Sequence, residues 1–191
     1  EGNNPNENKC FTYNQLKYFF GEKIVLKPIK KNLVDQVFKV NKTISEPFFS
    51  LPSSAVGLSH TKKIAILSKY IKNKKADFIF ISSSENIAWL LNIRGSDTPF
   101  SPLPNCNLII KKNKEIYLIT EKYKVKKLLL EKKLFPYQII ETKNFEKLVK
   151  NLKGKKIIVD DKTLSIHNEE VIKSKFSIID RVDPCYNLKS T

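Results

Sequence analysis

The densest run of chemistry-bearing residues is 85–104, ENIAWLLNIRGSDTPFSPLP, which holds the only tryptophan, Trp89, with Asn92, Arg94, Gly95, Asp97 and three prolines. A guanidinium and a carboxylate three residues apart across a glycine turn can form a charge-assisted pair that clamps the proline loop. The same two groups can instead face a cleft and meet a ligand. Beside them Trp89 is expected to fill the space between a helix and a sheet, and Gly95 to supply a left-handed turn. Trp89, Asn92, Arg94 and Asp97 are therefore the candidate cleft or loop-clamp residues.

Elsewhere the reactive side chains are scattered. Asp160-Asp161 closes an apolar run, at the kind of strand end where α/β proteins hold ligands and metals. No third carboxylate or histidine lies nearby in sequence, so a strand-end turn is the expected role. His60 and His167 stand without carboxylates at ligand spacing. Cys10, Cys106 and Cys185 are far apart and odd in number, which fits neither a disulfide framework nor a zinc ribbon. They read as reduced thiols of a cytoplasmic protein. There is no G-x-G-x-x-G, P-loop, H-E-x-x-H, C-x-x-C or G-x-S-x-G. No catalytic and no metal-ligating residue is assigned, and no cofactor is expected in these residues.

The elements that must position the 85–104 run belong to a chain of 191 residues, 41% hydrophobic and 28% charged, with a net charge of +16. That is globular composition, enough for one domain or one domain and a piece of another. No apolar run approaches the ~20 residues of a membrane-crossing helix. With no methionine, the chain reads as part of a longer or processed product. Of 35 basic residues only Arg94 and Arg181 are arginine, leaving 33 lysines. Lysine can hold phosphates electrostatically. Specific readers of nucleic acid lean on arginine forks or paired aromatic platforms, and the sequence displays neither. A solvated lysine surface is expected rather than a nucleic-acid site.

Residues 11–20 carry Leu16, Phe19 and Phe20 at helical spacing, Ile24–Ile29 reads as extended, and Leu33, Val34, Val37 and Phe38 form a second apolar face. Residues 43–59 hold Pro47, Pro52, Gly57 and five serines, the composition of a stiff connector. The boundaries follow: 1–44 a segment outside the main core, 45–59 a linker, 60–191 the main domain. Within it Ser59 or Thr61 caps a helix bearing Ile64, Leu67 and Ile71, and 76–81 (ADFIFI) is a doubly buried strand. A helix from Ser83 or Ser84 carries Ile87, Leu90 and Leu91 and stops near Gly95. Strands at 107–110 and 115–119 flank a hairpin turn, and a helix from Glu121 turns Val125, Leu128 and Leu129 inward. A strand at 137–141, a helix on Phe145, Leu148, Val149 and Leu152, and a strand at 156–160 come next. A helix near 165–174 and a strand at 176–180 complete the pattern. Strands alternating with helices specify an α/β fold: a mixed, largely parallel sheet flanked by helices.

The run Trp89-Leu90-Leu91-Asn92-Ile93-Arg94-Gly95-Ser96-Asp97, with Pro99 and Pro102 after it, resembles a signature of the middle domain of three-domain Xaa-Pro aminopeptidases. Other pieces fall in the same order. Asn32-Leu33-Val34-Asp35-Gln36-Val37-Phe38 is similar to the end of that family's first domain, with Phe38 where tryptophan is usual. Ala55-Val56-Gly57-Leu58-Ser59 followed by Lys63-Ile64 resembles the opening of the middle domain, with Val56 departing from it. Asp183-Pro184 and Leu188-Lys189-Ser190 resemble the lead into the catalytic domain.

The resemblance implies a creatinase N-terminal-like fold for 60–191, preceded by the tail of a first domain. It implies a parent enzyme that removes the residue before a proline at position two, through two divalent metals, usually manganese. Those metals are held by two Asp, one His and two Glu in a catalytic domain that would begin about where Thr191 stands. The implied role of this region is to buttress that domain and narrow its cleft. The implied partners are the catalytic domain, peptides with proline second, and a second copy in a homodimer, with neither membrane nor nucleic acid. A basic module that binds single-stranded nucleic acid or an acidic surface is the alternative.

Overall fold

Six short strands pair into one sheet whose central members are buried on both faces, the pattern that helices on either side of a sheet require, while the last strand in the chain, at the sheet's edge, stays partly exposed. The computed structural model describes residues 13–21, 24–25, 46–98 and 100–190. Cys10, Phe11, Pro99 and the stretch 26–45, with the apolar face and motif at 32–38, lie outside the described residues. In chain order the elements are α1 (Tyr13–Phe20), β1 (Phe49–Ser50), α2 (His60–Asn73), β2 (Phe78–Ile81), α3 (Ser84–Leu91) and β3 (Ile93–Arg94). They continue with β4 (Asn107–Lys111), β5 (Ile116–Ile119), α4 (Lys126–Leu130), β6 (Ile139–Ile140) and α5 (Phe145–Asn151). β7 (Lys156–Val159), α6 (Ile166–Lys173), β8 (Ser177–Asp180) and α7 (Cys185–Lys189) complete the described chain.

The sheet order is β6-β5-β4-β2-β7-β8. The β5–β6, β2–β7 and β7–β8 pairs are parallel, while β4 runs antiparallel to both of its neighbours. The expected mixed, largely parallel sheet is thus the observed one. Side chains alternate across it. Ile79 and Ile81 join a cluster with Ile64, Leu67 and Ile71 of α2, Leu90 of α3 and Leu128 of α4. Phe78 and Phe80 face the other side, against Phe145 and Val149 of α5 and Ile172 of α6.

Several expectations change in detail. The strand expected at 137–141 shrinks to Ile139–Ile140, because a 3-10 turn over Pro136–Gln138 takes its first half. The helix expected from Glu121 begins as a 3-10 turn, Lys122–Val125. The helix at 84–91 ends on Asn92, whose φ of 51° makes it the left-handed C-cap. Gly95 therefore supplies no such turn. Its role is close approach: a Cβ there would meet the Cα of Pro104 at 2.9 Å and Cδ1 of Phe48 at 3.0 Å.

The stretch expected as a connector packs along the domain where it is described. Phe48 is fully buried in the core, and β1 pairs antiparallel with β3. The N–H of Phe48 donates to the carbonyl of Lys124 at 2.7 Å. Ser59 caps α2, accepting the N–H of Lys62 at 3.3 Å. By contrast α1 leaves Tyr18 92% and Phe19 81% exposed, so these two residues add nothing to the main core.

Candidate functional site

Helix α2 presents Lys63 one turn before Leu67, on the buried side of the helix. Lys63 is only 4% exposed, so the expectation that the lysine faces of the helices point to water fails at this position. Its Nζ donates to the carbonyl of Trp89 and to Oδ1 of Asn92, both at 2.6 Å. It also lies 4.2 Å from the centroid of the Trp89 ring, a cation–π distance. Asn92 completes the junction by donating from Nδ2 to the carbonyl of Leu58 at 3.0 Å. Its own carbonyl accepts from Lys133 Nζ at 2.9 Å and from the N–H of Leu51 at 3.0 Å.

Arg94 follows immediately. Its Nη1 donates to the carbonyls of Ala88 at 3.3 Å and Ile93 at 2.8 Å. Three cations thus converge on the C-terminal carbonyls of α3, where the helix dipole is negative. Burial first, then the charges of Arg94 and Lys133, push the Lys63 ammonium below its ordinary pKa. Burial, with Lys133 and Lys63, likewise lowers that of His60.

Trp89, Asn92 and Arg94 share a cavity of about 410 Å³ with Lys63, Leu58 and Lys189. Trp89 is half-buried on this wall rather than filling the space between helix and sheet. Asp97 is not part of it. The expected Arg94–Asp97 pair is replaced by Lys124–Asp97, with Nζ 2.8 Å from Oδ1. The reason is reach: Arg94 turns back onto α3, while Asp97 lies against the 3-10 turn that carries Lys124. The other Asp97 oxygen accepts the N–H of Asn105 at 2.6 Å, which fixes the far end of the proline loop. The clamp exists, with a lysine that the sequence reading did not name.

A second polar network holds the opposite end of α3. Buried Asn86 donates to Asp183 Oδ2 at 2.6 Å, and Asp160 Oδ2 accepts the N–H of Asp183 at 2.8 Å. Asp183 Oδ1 accepts the N–H of Cys185 at 2.9 Å and so starts α7. Asp160 therefore has the turn role expected of it. Asn86 was missed, although an amide among the apolar positions of a short helix is a legible signal. The proline loop also displays Phe100, fully exposed and at a φ of 60°.

Phe135 and Tyr137, exposed and stacked at 5.7 Å and 7°, form an aromatic platform that the sequence reading did not see. Phe135 borders a smaller cavity with His60, Lys114 and Lys133. Among the described residues no three His, Cys, Asp or Glu side chains converge to hold a metal ion. A divalent-metal site does not fit this chain's described side chains.

A helix-covered mixed sheet with a basic cavity at one helix C-terminus defines the class, an α/β domain. The comparisons make it specific: residues 40–191 match the Creatinase/Prolidase N-terminal domain, and the chain belongs to that family. A probable Xaa-Pro aminopeptidase P of Laccaria bicolor is 41% identical over 78 residues, covering 39% of this chain and 12% of the relative. The Xaa-Pro aminopeptidase ApepP of Drosophila melanogaster is 33% identical over 102 residues, 52% of this chain and 16% of the relative. The chain therefore spans only 12% to 16% of the length of these curated relatives. In fold it resembles the X-prolyl aminopeptidase of Caenorhabditis elegans, described as a cytosolic enzyme with a di-nuclear active site. The TM-score is 0.67 at 22% identity, over 81% of this chain and 26% of that one. The N-terminal domain of cytoplasmic peptidase PepQ from Mycobacterium tuberculosis gives 0.50 at 14% identity, over 66% of this chain and 98% of that domain.

Proposed function

We propose that this chain is the non-catalytic N-terminal and middle region of a cytosolic Xaa-Pro aminopeptidase, which buttresses the catalytic domain and limits its cleft to short peptides. The match of residues 40–191 to the family carries the reading. The Xaa-Pro aminopeptidase relatives support the activity of the whole protein. In this reading Trp89, Asn92 and Arg94 line the cleft side of the domain, and Lys124–Asp97 holds the proline loop in place. The two divalent metals, manganese in the parent, belong to the catalytic domain. Residues 1–44 belong to a preceding domain, and a homodimer is the proposed assembly.

The test compares this chain with the natural full-length protein on peptides of the Arg-Pro-Pro type, each with manganese. Metal-dependent release of the first residue by the full-length protein, with none from the chain alone, supports the reading. Turnover by the repurified chain, or none by the full-length protein, overturns it.

The stacked Phe135–Tyr137 pair favours the second reading, a basic module for single-stranded nucleic acid. Stacked rings beside lysines are the elements such proteins use. Fluorescence anisotropy with a labelled oligonucleotide decides: sub-micromolar, salt-resistant binding lost in a Phe135→Ala, Tyr137→Ala double variant supports it. Weak binding abolished by moderate salt rejects it.

A further inference from the structure

The cavity at the C-terminus of α3 holds more positive charge than its own surroundings neutralise. Lys63, Arg94 and Lys189 line it, and no Asp or Glu is among its lining residues. Lys133 adds a fourth cation at the carbonyl of Asn92. The helix C-terminus offsets only about half a unit charge. Lys63 is buried and held by hydrogen bonds to Trp89 and Asn92, so its position is fixed rather than mobile. Arg94 is engaged on one side only. Its Nη1 makes both of its hydrogen bonds, and its Nε–Nη2 edge has no partner among the described residues. That edge is the one that receives a carboxylate through two parallel bonds. Its chemistry matters in this chain: where 33 of 35 basic residues are lysine, an arginine stands at the cavity. A lysine offers a point charge there, not a fork.

We propose that this cavity binds a peptide carboxylate, terminal or side-chain, through the free edge of Arg94, with Lys63 and Lys189 supplying the field. Several features select a carboxylate over phosphate. Phosphate sites are built from backbone N–H groups at helix N-termini or glycine-rich loops. The floor here is the opposite end of a helix, where carbonyl oxygens repel a dianion. The walls are apolar, from Leu51, Leu58 and the Trp89 ring, and suit the carbon chain that carries a carboxylate. The volume, about 410 Å³, lies at the small end of ligand pockets and accommodates a side chain or chain terminus. The inference does not depend on the peptidase reading and is tested on this chain alone.

Trp89, the only tryptophan, reports on the cavity it lines. The chain is titrated with three blocked alanine-based tripeptides: one with a free C-terminal carboxylate, its C-terminal amide, and a doubly blocked peptide with a central glutamate. Inorganic phosphate is a fourth titrant. Each is run at about physiological ionic strength, where diffuse surface attraction is screened. A saturable change in Trp89 fluorescence is expected with a carboxylate and not with the amide. Response to the free C-terminus alone identifies a terminal carboxylate; an equal response to the glutamate peptide identifies a side-chain one.

Arg94→Gln should weaken the response at least about tenfold, and Arg94→Lys should recover only part of it. Lys150→Gln removes one charge at a separate surface and should leave binding within about twofold. Far-ultraviolet circular dichroism and the thermal midpoint verify that each variant is folded, and Lys189→Gln repeats the test on a second cavity cation if Arg94→Gln is not. No response to either carboxylate, an equal response to the amide, a stronger response to phosphate, or equal losses in the Arg94 and Lys150 variants overturns the proposal.

Discussion

Lys124 Nζ lies 2.8 Å from Asp97 Oδ1, in a pair whose side chains are 10% and 4% exposed. Twenty-seven residues separate them, and the bond joins the proline loop to the turn that receives Phe48. Breaking a buried pair strands a charge and typically costs about 3–5 kcal/mol. Asp97→Asn should lower stability by about 3 kcal/mol in urea denaturation. Arg94→Ala removes two bonds from a partly buried side chain, and the Ala88 carbonyl keeps the N–H of Asn92, so the change should cost only about 1 kcal/mol. Equal losses in the two variants would show that Arg94 contributes to the fold as much as the Lys124–Asp97 pair does.

Asn92 combines a left-handed backbone with four side-chain or carbonyl links to other segments. A residue with a Cβ and no local polar group resists that conformation by about 1–2 kcal/mol. Asn92→Ala adds the loss of the acceptor for buried Lys63. The expected cost is about 2–4 kcal/mol, and Asn92→Gly should recover only the backbone part. If Asn92→Gly matches the parent midpoint in urea, the Lys63 contact contributes nothing.

The layers of the fold were legible because apolar runs such as 76–81 and 156–160 are short, bounded and rich in Ile and Phe. Their pairing follows from the α/β rhythm. What was not legible depends on residues distant in sequence. Lys63 and Lys124 look like any other lysine in a chain with 33 of them, and only their partners, Asn92 and Asp97, mark them as interior. Phe48 sits among prolines and serines, so composition read it as part of a connector. The left-handed residue fell on Asn92 rather than Gly95 because asparagine also tolerates positive φ, and the glycine was needed where Phe48 and Pro104 press against it.

Asp77 should make the domain acid-sensitive over a defined window. The ammonium of Lys112, then the N–H groups of Lys155 and Lys156, hold its carboxyl down to about 2 from an ordinary 3.8. A carboxylate favoured in the folded state stabilises it above the unfolded pKa, and that stability disappears as pH falls through the folded one. The loss should fall between about pH 4 and about pH 2. Lys112 is 54% exposed, so solvent screening keeps the effect modest. Asp77→Asn should be less stable than the parent near neutrality, and the gap in thermal midpoints should close at the acid end. A gap that stays constant with pH would remove the charge from the explanation.

Truncation decides where the domain begins. The described part of the presumed connector contributes Phe48, fully buried, a β1–β3 pairing, and Ser59 as the cap of α2. Losing a buried phenylalanine costs about 3–5 kcal/mol, and losing a cap about 1 kcal/mol. Together these approach the whole stability of an ordinary domain, about 5–15 kcal/mol. A chain lacking residues 1–59 should therefore be unfolded or nearly so. One lacking residues 1–45 keeps every one of these contacts and sheds the exposed aromatics of α1, so its thermal midpoint should stay within a few degrees of the parent. Circular dichroism melts of the two truncations give the answer directly. A stable 60–191 fragment would support the reading of 45–59 as a simple linker, and an unfolded 46–191 fragment would tie the N-terminal segment to the same core.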